Sequence, residues 1–65
     1  MSKQEALDAL ANGAKVTHRL FSENEWMIRK GNILEFEDGC QLFINEFYHI
    51  RKGPNWETGY SIISK

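Results

Sequence analysis

The stretch EALDALANGAKVTH, residues 5–18, changes hydrophobic period at its middle. Ala6, Leu7 and Leu10 recur at three- and four-residue spacing, which lines one narrow face of a helix. Beyond it the period drops to two: Val16, His18 and Leu20 share one parity, while Thr17, Arg19 and Phe21 share the other. The change falls at Asn12-Gly13, where glycine suits the left-handed position that closes a helix. Upstream, Ser2 and Glu5 have the spacing of a capping box. A helix is therefore expected from residue 3 to about residue 12, feeding directly into a strand.

Working outward, SEN breaks that strand and EWMIRK opens another. Trp26 and Ile28 lie on one of its faces, with Glu25, Met27 and Arg29 on the other. Gly31-Asn32 marks a tight turn. ILEFE then sets Leu34 and Phe36 on one face against Ile33, Glu35 and Glu37. Asp38-Gly39 is a strong hairpin signal, and CQLF follows as a short strand. Asn45 can cap a helical turn over 45–50 carrying Phe47, Tyr48 and Ile50, which Gly53-Pro54 would end. In WETGYSII, Trp56, Thr58, Tyr60 and Ile62 share one parity, as one face of a final strand would. The expected fold class is α+β. One N-terminal helix packs on an antiparallel sheet of four or five strands, in a single domain over residues 1–65.

A chain of 65 residues buries only roughly 60% of its unfolded surface. Domains of this size usually add a disulfide, a metal or a partner subunit. Cys40 is the single cysteine, so it forms no internal disulfide. A free thiol fits a reducing compartment, and burial as a small hydrophobe is its ordinary fate. No CxxC or HxxxH spacing supplies a metal site. Self-association remains, and four Phe, two Trp and two Tyr in so short a chain support a homo-oligomer. A net charge of −1, from eight basic and nine acidic residues, is not the footprint of a duplex nucleic-acid binder. MSKQEALDAL carries no apolar signal region, and no apolar run nears the roughly 20 residues that span a membrane. A cytoplasmic protein with no membrane partner is expected.

Catalytic patterns are missing from the sequence. Ser and Cys occur, but in no local nucleophile motif such as GxSxG. Glu35, Glu37 and Asp38 read as the charged solvent side of a hairpin. Gly13 follows a helix rather than opening one, the wrong geometry for phosphate capture. The expectation is a protein that is not an enzyme and carries no cofactor.

The chemistry that remains is basic and aromatic. His18 sits on the apolar parity of its strand, either bonded to a backbone carbonyl or free to change protonation near neutral pH. His49 lies among polar residues and is expected to be solvated. Arg19 and Arg29 are expected on one face of neighbouring strands, and Arg51 and Lys52 precede Trp56 and Tyr60. Arginine grips phosphate bidentately and an aromatic face stacks a base, a pairing suited to a nucleotide. The candidate ligand residues are His18, Arg19, Trp26, Arg51, Lys52, Trp56 and Tyr60. The ordinary alternative is that the arginines solvate the sheet and the rings fill the core.

EALDALANGAKVTH followed by a tryptophan-bearing strand resembles the opening of a family of small phage and prophage proteins. Their ALxALxxGxxV helix leads into a strand and then a tryptophan, and they end in a strand of DW-x-I type. ETGYSI would be its counterpart here, with Tyr60 in the tryptophan position. The likeness covers the first 20 residues and the last seven, while HRLFSENEW departs from the family's GWNGK-like turn. The family includes Thoeris anti-defence proteins, which sequester a cyclic ADP-ribose or cyclic dinucleotide signal, and a relative described as an anti-CRISPR. The resemblance implies a counter-defence protein of phage origin, acting in the host cytoplasm. Its partner would be a cyclic nucleotide or, alternatively, a host defence or nuclease protein that it inhibits. A structural accessory module is a third reading.

Overall fold

A computed structural model describes residues 1–64. The chain runs α1 (Lys3–Ala11), β1 (Lys15–His18), β2 (Met27–Lys30), β3 (Ile33–Phe36), β4 (Gln41–Phe43), α2 (Ile44–Ile50), a 3-10 turn (Pro54–Trp56) and β5 (Tyr60–Ser64). It is an α+β fold. The five strands form one antiparallel sheet in the order β4-β3-β2-β1-β5. β1 to β4 are a meander. α2 and the 3-10 turn then carry the chain back over the sheet, so that β5 pairs with β1.

α1 begins as its capping residues dictate. Ser2 Oγ accepts from the Glu5 N–H, and Glu5 Oε1 accepts from the Ser2 N–H. It ends at Asn12, and Gly13 follows at a φ of 88°. Ala6 and Leu10 are its buried stripe. They meet Val16, Met27, Leu34, Phe36 and Tyr60 from the sheet and Phe47 from α2 in one core. Both helices therefore cover the same face of the sheet, and among the described residues no second layer covers the opposite face. Among the described residues, no helix is long and apolar enough to cross a membrane.

Several sequence expectations shift. β1 ends at His18 rather than continuing to Phe21. Phe21 N–H donates to His18 O and Leu20 N–H to His18 Nδ1, which turns the chain. Leu20 is thereby thrown outward, 53% exposed, while Phe21 folds back into the core. α2 starts one residue before Asn45, with Phe43 at its N-cap and the Phe43 N–H held by Glu46 Oε1. Trp56 is not on the final strand. Pro54 opens a 3-10 turn that contains it, and β5 begins only at Tyr60. Cys40 is exposed instead of buried, because it directly follows the Asp38-Gly39 turn. Its N–H is bound by Asp38 Oδ1, and the neighbouring Asp38 carboxylate pushes its thiol pKa up.

Candidate ligand-binding site

Six of the seven candidate residues stand at one end of the molecule, where β1, the end of α2, the 3-10 turn and the start of β5 meet. His18 is the pivot. Its side chain points from β1 toward the helices and is 2% exposed. Nδ1 accepts from the Leu20 N–H at 3.0 Å, so Nε2 carries the proton and donates to Thr58 O at 2.7 Å. Both nitrogens are thus committed to backbone, and the ring is a bonded core histidine.

The His18 ring in turn orders its neighbours. Trp56 stacks on it with centroids 4.1 Å apart, and Tyr60 meets it edge-on at 4.6 Å. Tyr60 Oη donates to Trp56 O at 2.7 Å. Phe21 and Phe47 complete the aromatic group around Trp56. His18 and Tyr60 were expected to touch ligand, but both are buried and instead fix the position of Trp56. Trp56 itself is half-buried, with one ring face occupied by His18.

Arg51 closes this group. Its guanidinium carbon lies 5.0 Å from the Trp56 centroid, 5.2 Å from Phe47 and 5.7 Å from Phe21. Such contacts hold a cation over ring faces. Among the described residues the guanidinium has no carboxylate partner and donates no hydrogen bond, so its planar fork of donors is uncommitted. Arg19 reaches the same region through Asn55, Nη2 to Oδ1 at 3.5 Å. Lys52, next to Arg51, is exposed. Both tyrosines of this part of the core, Tyr48 and Tyr60, have their pKa raised by burial.

Gly59 is the residue that sequence reasoning passed over. At a φ of 96° it takes a backbone shape that side chains avoid, and a Cβ there would meet His18 Nε2 at 3.1 Å and Arg19 Cγ and Cδ at 3.2 Å. The signal was present as a glycine between two aromatics, but its meaning needs the packed strand beside it.

Two expected groupings do not form. Trp26 lies apart from the other candidates, on the bare face of the sheet, with Lys15 Nζ 4.3 Å from its centroid. Arg19 and Arg29 do not share a face, because β1 ends before Arg19. Arg29 sits on β2 opposite Leu34 and donates from Nε to Gly31 O. It helps line an open groove of about 1040 Å³ between α1 and the start of α2, with Lys3, Leu7, Asn32, Asn45 and Tyr48. None of the seven candidates borders that groove. Among the described residues, no three of His, Cys, Asp and Glu are placed to hold a metal ion. Comparison of the chain with family models, with curated proteins and with solved structures finds no match.

Proposed function

We propose that this protein is a non-catalytic binder that sequesters a phosphorylated nucleotide, a cyclic nucleotide signal being the specific candidate, in the manner of phage counter-defence proteins. The observation that carries this reading is Arg51. A guanidinium held against three aromatic rings, with its donors unused, is preorganised for an anion and loses little freedom on binding one. Arg19 and Lys52 add positive charge beside it, and the outer edge of Trp56 offers apolar contact to a base. The residues that hold this end in place are backbone-bonded or buried. In this reading the site positions a ligand and does not transform it.

Calorimetry with a panel of cyclic mono- and dinucleotides tests the reading. Heat is expected with at least one member, and Arg51→Ala should weaken it. Loss of charge-assisted bonds worth roughly 1.5–3 kcal/mol corresponds to about ten- to a hundredfold in Kd. Absence of heat across the panel would sink the proposal. A second reading, a protein that inhibits a host defence component, draws support from the interhelical groove. It predicts co-purification of a host protein that Lys3→Glu or Arg29→Glu abolishes and Arg51→Ala leaves unchanged.

A further inference from the structure

The sheet has one face under the helices and one bare, and the strand register fixes what the bare face displays. Val16 stands opposite Met27, so Lys15 is level with Ile28 and Thr17 with Trp26. Ile28 stands opposite Glu35, and Glu35 opposite Gln41. One row across the face therefore reads Lys15, Ile28, Glu35, Gln41. The next row on one side holds Thr17 and Trp26. The row on the other holds Lys30, Ile33 and Phe43, the last 53% exposed. Apolar groups run through the middle of the face, a lysine stands one strand to one side of β2, and a glutamate stands one strand to the other.

That arrangement is self-complementary. A twofold axis in the plane of contact, running along β2, exchanges the β1 side of one copy with the β3 side of the other. It lays Ile28 on Ile28 and Trp26 on Trp26 and carries Lys15 over Glu35 twice; it also brings Lys30 over Lys30, each ammonium bonded to Glu35 of its own copy at 2.9 Å. Lys15 has no carboxylate partner among the described residues; its ammonium rests on Trp26. Glu35 bonds Lys30 at 2.9 Å and Gln41 at 3.2 Å, one contact on each oxygen, and a carboxylate accepts more than two. Two sheets packed about such an axis keep their strands aligned, roughly 30° apart and about 10 Å between layers, a gap that Lys and Glu side chains span. Among the described residues no element of the chain covers this face, and a second copy would supply that layer.

We infer that the bare face is a homodimer interface, with a second copy of this chain as its occupant. This does not rest on the nucleotide reading, since none of these residues belongs to the Arg51 site. The test is a charge swap read by light scattering after size exclusion, over a dilution series. The wild type should show twice the chain mass. Lys15→Glu and Glu35→Lys should each shift it to the single-chain mass, and the double variant should restore the dimer. Ile28→Glu should abolish dimerisation in either background. Circular dichroism melts of each variant separate loss of association from loss of fold. A wild type that stays at the single-chain mass at every concentration overturns the inference. A dimer that survives Ile28→Glu in a folded protein overturns it equally, as does a double variant that fails to recover.

Discussion

The two faces of the sheet are built from the same strands, one residue apart, and meet opposite fates. On the inner face, Val16, Met27 and Leu34 are fully covered by α1 and α2. On the outer face, Lys15, Ile28 and Ile33, their immediate neighbours in sequence, are only partly covered by one another. The outer face is the more polar, carrying Lys15, Thr17, Lys30, Glu35 and Gln41, yet its Ile28 and Ile33 are as apolar as Met27 and Leu34. What separates the faces is the path of the chain after β4. α2 crosses to the side already held by α1, so that among the described residues the other face carries no layer. Stability of the single chain is therefore concentrated on one parity.

Substitutions that cross this divide give the largest effect. Leu34→Ala removes a side chain with no solvent exposure and is expected to cost about 2–5 kcal/mol in urea unfolding. Its outer neighbour Ile33→Ala, measured at a concentration where the chain is monomeric, should cost well under half of that. Equal costs would erase the distinction between the faces.

Gly59→Ala comes next. Strain at a positive φ and the close approach to His18 together are expected to cost about 1–3 kcal/mol. The change should also weaken whatever binds at Arg51, because Trp56 follows His18. A wild-type melting curve would mean that this loop sits more freely over the inner face than its contacts imply.

The tyrosines give the smallest and most gradual effect. Burial raises the pKa of Tyr48 and Tyr60, so their neutral forms stabilise the folded state. With a folded pKa above the unfolded one, that stability is whole below the ordinary tyrosine value of about 10 and drains away as pH climbs past it. Absorbance at 295 nm should therefore rise together with loss of circular dichroism. Phenolate appearing near pH 10 in a fully folded chain would place these rings in water instead of the core.

Local signals carried most of the fold. The capping box at Ser2 and Glu5, the Asn12-Gly13 stop, the Leu34 and Phe36 alternation and the Asp38-Gly39 turn all act within a few residues, and each is found in place. The errors lie where a distant partner overrides the period. Leu20 continued the apolar parity of β1, but His18 Nδ1 takes the Leu20 N–H and bends the chain outward. Trp56 continued the parity of β5, but the His18 ring, 38 residues earlier, holds it in a 3-10 turn. The candidate site was legible as a set of residue types at its C-terminal end. Its internal division of labour was not, since His18 beneath Trp56 and Phe21 beside Arg51 are contacts between distant segments that no spacing reveals.

The sequence by itself determined the element types, their order and the parity of the core strands. These follow from periods, caps and turn residues whose physics is local. Only the tertiary structure decided which side of the sheet the second helix covers, which of the two faces is left open, and that Trp56 packs on a histidine instead of entering the last strand. Those outcomes depend on which surfaces exclude water from each other once the chain has folded back on itself, and alternation within a strand is blind to that choice.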